Sequence, residues 1–343
     1  PSPSGGLTMR IAVASVQVPF ITGGAEILAQ GLVAALREAG HQIELVTLPF
    51  RFFPPAEVTR AMRAWESEDF RIFNLYEPDL VVCLKFPAYG LAHSRKTAWL
   101  LHQHKSGHAP GTGTGTDDGE RALHEATVSF DRRHLADCRR FALSRHVAQA
   151  LARSTGLAAD VLYHPPHAAD AFYAGHALDY VLVPSRLEDS KRQALLIRAM
   201  AHVRAPVGAL VAGTGGQHAA LRSLIGTLDL GSRVRLLGHV SPDDLRALYA
   251  RALGVFFGPR DEDYGYVTLE AMLAHKPVIT CTDSGGPLEF VEDGITGAVV
   301  APEPEAIAGA IDTLWADRAR ARRLGENAHE RYRALDLRWD RVA

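Results

Sequence analysis

Cysteine is scarce in this chain: the three thiols, Cys83, Cys138 and Cys281, are far apart, which excludes both a disulfide framework and the close pairing of a zinc or dithiol site. Charge of one sign is lacking too. Lys and Arg total 37 against 39 Asp and Glu, a formal charge of -2, so no polyanionic partner such as DNA or RNA is expected. No apolar run reaches the roughly 20 residues of a membrane span, and the amino end has no basic region followed by an apolar core. A cytoplasmic protein with reduced thiols is the expectation. Pro1 to Thr8 is a Pro/Ser/Gly segment that adds nothing to a fold. Also missing is a complete G-x-G-x-x-G after the first strand, which weakens a nicotinamide-binding reading.

What is present is room for two cores. A chain of 343 residues, 47% apolar and 22% charged, fits a soluble protein of two domains. Residues 10–15 read as a central strand, Gly23-Gly24-Ala25-Glu26 as the turn opening a helix, Gly40 as its stop and 43–47 as the next strand. That βαβ opening implies a parallel sheet. Strands follow at 78–84, 96–101 and 140–144, with helices at 120–138 and 145–155. Pro165-Pro166 closes this half, because a double proline cannot continue a central strand. The second half repeats the grammar, with strands at 180–184, 207–212, 234–238, 253–257 and 277–280. Helices are expected at 193–203, after Ser241-Pro242, from about residue 267 and from 303 onward.

Candidate chemistry concentrates in 261–272, where carboxylates, aromatics and a glycine sit between a strand and an apolar helix. The amides near Gly265, Tyr266 and Val267 open that helix, and a helix amino end favours an anion such as phosphate. Glu262 and Glu270 suit hydroxyl donors instead, so the combination fits a sugar nucleotide. Asp261 and Asp263 read as solvated or structural neighbours. Arg186 and Lys191 stand where another strand hands over to a helix; each alone reads as a solvated loop cation. His102 and His104 end the 96–101 strand. A metal reading with His108 lacks an acidic or cysteine partner at ligand spacing, and a polar-loop reading competes in a chain with 16 histidines. The Gly/Thr-rich stretch 107–119 is a candidate lid or acceptor-side flap, or an insertion with no role.

Taken together these residues resemble the retaining GT-B glycosyltransferases of family four, along nearly the whole chain. Glu262 and Glu270 take the two positions of that family's E-x7-E signature, and Ser185-Arg186-Leu187 with Lys191 is similar to its diphosphate-gripping pair. Gly23-Gly24-Ala25-Glu26 resembles its amino-domain glycine loop, and Ser284-Gly285-Gly286-Pro287 and Asp293-Gly294-Ile295-Thr296-Gly297 its closing motifs. The resemblance implies an α/β GT-B fold, two Rossmann-like domains facing each other across a cleft. An acceptor domain at 9–172, a nucleotide-sugar domain at 173–325 and a terminal helix at 326–343 returning to the first domain, anchored by Trp339, are expected.

By the same resemblance, Glu270 binds the ribose hydroxyls and Glu262 the donor sugar, while Arg186 and Lys191 neutralise the departing diphosphate. Gly23, Gly24, Tyr264, Gly265, Tyr266 and Val267 join the donor contacts, and His102, or His104, lines the sugar pocket. The expected reaction moves a sugar from a nucleoside diphosphate sugar, UDP- or GDP-linked first, to an acceptor hydroxyl with retention and without an essential metal or other cofactor. A polysaccharide, glycolipid or natural product would accept it, read by walls at 18–22, 85–89 and the Gly111 loop. A peripheral membrane contact stays open, although no strong basic amphipathic helix supports one. The rivals are a sugar-nucleotide epimerase or hydrolase and a non-catalytic sugar-nucleotide-binding subunit; a dehydrogenase ranks lower.

Overall fold

The structure is a computed structural model that describes residues 8–20, 23–73, 76–104 and 117–343. Two compact units emerge: Pro1–His167 with Arg338–Ala343, and Ala168–Leu337. The stretch 107–116, and with it His108 and the centre of the expected flap, lies outside the described residues, as does Thr22.

In the first unit the order is β1 (Arg10–Gln17), α1 (Gly24–Glu38), β2 (Gln42–Pro49), α2 (Pro55–Ser67), β3 (Leu80–Cys83), β4 (Lys96–Leu100), α3 (Asp117–Leu135), β5 (Arg139–Ala142), α4 (Arg145–Thr155) and β6 (Asp160–Val161). The strands form one parallel sheet in the order β2-β1-β3-β4-β5-β6. β1 is buried from Ile11 to Val16, as a central strand covered on both faces must be. β6 has two residues at the sheet edge, just before His164-Pro165-Pro166, because proline has no N–H to donate to a ladder. α4 begins on Ser144, whose Oγ accepts the Val147 N–H at 3.0 Å, and ends at Gly156 with φ of 79°.

The second unit runs β7 (Tyr180–Pro184), α5 (Gln193–Met200), β8 (Gly208–Ala212), α6 (His218–Thr227), β9 (Val234–Gly238), α7 (Pro242–Arg251), β10 (Gly254–Phe256), α8 (Tyr266–Leu273), β11 (Val278–Cys281), β12 (Gly297–Val300), α9 (Pro304–Ala316) and α10 (Arg318–Leu335). Its parallel strands are ordered β12-β11-β10-β7-β8-β9. Both orders are doubly wound. Each sheet has one place where consecutive crossovers leave in opposite directions, between β1 and β3 in the first and between β7 and β10 in the second. In open α/β sheets the place for a ligand is outside the strands' carboxyl ends at such a point.

α6 and β12 are absent from the sequence reading. β12 is four residues long and opens on Gly297, where a Cβ would lie 2.1 Å from the Val278 carbonyl; close backbone approach, not side-chain alternation, makes this strand. α6 buries only Leu221 and Ile225, too little apolar surface for a periodic signal. The units divide at 167/168, earlier than the 172/173 expected, and the terminal return is shorter than 326–343. α10 packs on the second unit, with Gly325 set so that a Cβ would meet the His275 carbonyl at 2.1 Å. Only Arg338–Ala343, with α11 (Trp339–Val342), clusters with the first unit. There Trp339 stacks on His164 at 5.6 Å and packs flush on Gly31, where a Cβ would sit 2.3 Å from its ring. Burial pushes the His164 imidazole down to about 4, so it packs as a neutral ring at ordinary pH. Among the described residues no helix is long and apolar enough to cross a membrane.

Candidate functional site

The loops at the switch point of the second sheet carry Arg186, Lys191, Glu262, Tyr264 and Gly265, and the helix that follows carries Tyr266, Val267 and Glu270. β7 is buried at every position, and past Pro184 the chain leaves the sheet through 185–192 into α5. Its neighbour β10 likewise leaves through 257–265 into α8. The two loops meet in an ion pair: the Lys191 ammonium donates to Glu262 Oε2, with side chains only 16% and 21% exposed. Lys191 also lies 5.9 Å from the Phe257 ring centroid. Arg186 is more open, its side chain 54% exposed and its guanidinium 2.9 Å from Glu188.

Backbone bonds hold the pair in place. The Arg260 N–H donates to Ser190 O at 2.8 Å, Asp261 N–H to Asp283 O at 3.1 Å, Glu262 N–H to Ser284 O at 3.0 Å and Gly286 N–H to Glu262 O at 2.7 Å. Arg192, at φ 54°, adds a two-pronged bond to Asp283 at 2.7 and 2.6 Å, which holds the Asp283 carboxyl below its ordinary value. Three loops are thus tied into one frame. Neither Arg192 nor Asp283 was singled out from sequence, and a separation of 91 residues leaves no local signal to find them by. Beneath 185–187 runs the glycine turn after β8. A Cβ on Gly213 would lie 2.0 Å from Ser185 O, and one on Gly215 2.4 Å from Leu187 O. Buried Gln193 donates to Ser185 Oγ at 2.8 Å and to Arg186 O at 2.7 Å, fixing the same loop from the other side.

α8 starts at Gly265, whose φ of 89° suits glycine and whose Cβ, if present, would press Pro287 at 2.9 Å and Phe257 at 3.0 Å. The amides of Tyr266 and Val267 fall in the first helical turn, which has no carbonyl one turn earlier to bond. Tyr264 is 5% exposed, with its ring edge-on to Tyr266 and Phe290.

Glu270 lies on α8, half-buried, and accepts the Tyr249 hydroxyl at 2.6 Å. Desolvation raises its carboxyl above the ordinary value of 4.5, and the tyrosine bond opposes that rise. If ionised Glu270 accepts ribose hydroxyls, nucleotide affinity falls as pH drops through this raised value. Tyr249→Phe removes the opposing bond, so the fall is expected to begin at higher pH. Nucleotide dissociation constants measured as a function of pH check this; superimposable profiles for the two proteins would contradict it.

The remaining site candidates belong to the first unit. Gly23 caps α1, and its N–H donates to Glu26 Oε2 at 2.8 Å, while buried Lys85 donates to Glu26 Oε1 at 2.6 Å. Lys85 thereby braces the Gly23-Gly24 turn from the end of β3, a pairing that 59 residues of separation hid from sequence. His104 is 3% exposed and stacked against Phe86 at 5.2 Å, within an aromatic cluster that includes Phe50 and Phe52. His102 is half-buried at the end of β4 and is the more accessible of the two rings. Among the described residues no group of three or more His, Cys, Asp or Glu is arranged to hold a metal ion.

Comparison with known proteins follows this division. Residues 176–331 match the family model described as "Glycosyl transferases group 1". An uncharacterized glycosyltransferase of Methanocaldococcus jannaschii is 32% identical over 170 residues, 48% of this chain and 42% of that protein. A GDP-mannose-dependent alpha-(1-6)-phosphatidylinositol monomannoside mannosyltransferase of Mycobacterium tuberculosis is 35% identical over 175 residues, 48% of this chain and 45% of that protein. The chain therefore spans less than half the length of these curated relatives. Two solved structures align over nearly the whole chain. Sucrose-phosphate synthase from Thermosynechococcus elongatus superposes with a TM-score of 0.77 at 19% identity over 96% of each chain. Anabaena HepE in complex with UDP-glucose gives 0.72 at 20% identity, again over 96% of each. The chain thus has the GT-B fold, and its second unit carries the sequence pattern of the group 1 glycosyl transferases.

Proposed function

We propose that the protein is a retaining, metal-independent glycosyltransferase that moves a sugar from a nucleoside diphosphate sugar to an acceptor hydroxyl. The observation that carries this is the Lys191–Glu262 pair at the switch point of the second sheet, with Glu270 one helix further on. Each partner of the pair has its own ligand chemistry: the ammonium suits a diphosphate and the carboxylate a sugar hydroxyl. A donor that presents both groups separates the pair and replaces each contact, so little charge is left unpaired on binding. Arg186 leaves Glu188 to join Lys191, and the two cations with the α8 amides meet the charge that grows on the leaving diphosphate. That division of labour supplies what a divalent metal does elsewhere. Glu270, oriented by Tyr249, takes the ribose hydroxyls.

UDP- and GDP-linked sugars are the leading donors, because HepE was solved with UDP-glucose and the mycobacterial relative is named as GDP-mannose-dependent. A cytoplasmic setting agrees with three buried, free cysteines. The test is a thermal-shift screen of UDP-, GDP-, ADP- and TDP-sugars, since a ligand at a hundred times its dissociation constant adds about 2.7 kcal/mol of stability. Turnover of the best donor with an acceptor panel in EDTA, and the anomeric configuration of the product by NMR, follow. Acceptor-dependent release of nucleoside diphosphate with retention is expected. Equal donor consumption without acceptor, or tight binding with no turnover on any acceptor, overturns transfer, and loss of turnover in EDTA overturns metal independence.

A further inference from the structure

The second unit has a cavity at the other end of its sheet. The candidate donor loops lie at the carboxyl ends of β7 and β10, whereas a cavity of about 710 Å³ opens at the amino ends of β7, β10 and β11. It lies among 174–179, Leu253, 275–277 and the first turns of α10. α8 connects the two regions: it begins after Gly265 in the donor loop and ends at Leu273, just before His275 and Lys276 in the cavity wall.

The wall carries three full cations, Lys276, Arg318 and Arg322, two carboxylates, Asp179 and Glu326, and the imidazoles of His176 and His275. Arg318 is already paired with Asp179. Lys276 is 5% exposed, and among the described residues its ammonium meets no carboxylate; it donates to a neutral acceptor, the Gly175 carbonyl, at 2.9 Å. One acceptor for three donors, in a desolvated place, is an incomplete set. Burial and the neighbouring Arg322, itself without an ion pair among the described residues, push Lys276 down to about 8. The wall is also rigid. His275 is held at φ 55°, stacks on His329 at 3.8 Å and meets α10 at Gly325 with no room for a Cβ.

A buried ammonium short of counter-charge, with the exposed Arg322 guanidinium on the same wall, suits an anion. Glu326 faces the same space and limits how much negative charge it accepts, which favours one phosphate over a polyphosphate. We propose that this cavity is a second anion site, separate from the donor loops, that takes the phosphate monoester of a small molecule through Lys276 and Arg322. A phosphate there takes the donors of Lys276 that the Gly175 carbonyl leaves unused, three residues past the carboxyl end of α8, the helix whose amino end opens the donor loop.

The test titrates the full chain with inorganic phosphate and, separately, with glucose 6-phosphate. Binding is followed by thermal shift and by hydrogen exchange at 174–179 and 274–277. Saturable protection of those segments is expected in the wild type and equally in the Arg186→Ala/Lys191→Ala double variant, with glucose 6-phosphate binding more tightly than phosphate. Arg322→Ala, at an exposed position that leaves the fold intact, is expected to weaken binding at least about tenfold, and Lys276→Met to abolish it. The proposal is overturned by protection confined to 185–192 and 260–267, by unchanged affinity in Arg322→Ala, or by no saturable protection. None of these outcomes depends on glycosyl transfer, so this site and the donor site stand or fall separately.

Discussion

Lys191→Ala is expected to lower kcat by about two to three orders of magnitude while the protein keeps its fold, because one preorganised charge donor to a developing anion is worth roughly 3–4 kcal/mol. The position explains the size. Lys191 is mostly shielded from water, seated beside the Phe257 ring and held on a loop that Gln193 and the Gly213 turn pin from two sides. An ammonium in that setting needs little reorganisation when charge leaves with the diphosphate. Arg186→Ala is expected to be costly as well, but less so, since Arg186 is half-exposed and must first give up Glu188. Glu262→Gln separates the two functions of the pair: it removes the partner of Lys191 in the free protein yet leaves a group able to accept a sugar hydroxyl. Its effect should fall more on KM than on kcat. Steady-state kinetics on the wild type and these three variants decide the matter, and a Lys191→Ala enzyme with near wild-type kcat would remove Lys191 from the reaction.

Gly213→Ala is expected to destabilise the second unit by about 3 kcal/mol or more, through a clash that no side-chain motion relieves. Gly213 has φ of 144°, and its missing Cβ would lie 2.0 Å from Ser185 O and 2.9 Å from Ser185 C, both backbone atoms at the end of β7. The strand end would have to move, and it carries Arg186. Loss of stability and loss of donor binding should therefore appear together. Gly216→Ala, in the same turn, is the control: no atom lies within 4 Å of the place its methyl would take and its φ is not positive, so a change within about 0.5 kcal/mol is expected. Denaturant midpoints for both variants check the contrast, and equal midpoints would show that the close approach at Gly213 is not a structural requirement.

Much of the scaffold was legible because its signals are local. Strand runs such as Tyr180–Pro184, the Ser241 cap, the Gly156 stop and the turn into α8 each depend on neighbours within a few residues, and each stands where the pattern put it. Local signals failed where the element owes its form to a distant backbone, as with Gly297 against Val278 in β12.

By itself, then, the sequence determined the α/β alternation, the division into two halves and the residue types able to hold a diphosphate and hydroxyls: Arg186, Lys191, Glu262 and Glu270. Only the tertiary structure decided which of these meet. Strand order sets β11, β10 and β7 side by side, and that arrangement joins Lys191 to Glu262 across 71 residues of sequence and Arg192 to Asp283 across 91. It also seats Lys276 against Gly175 across 101 residues, at the opposite end of the same helix. The physical reason is common to all three: an ion pair or a close contact depends on separation in space, which the order of strands in a sheet sets and the order of residues in a chain does not.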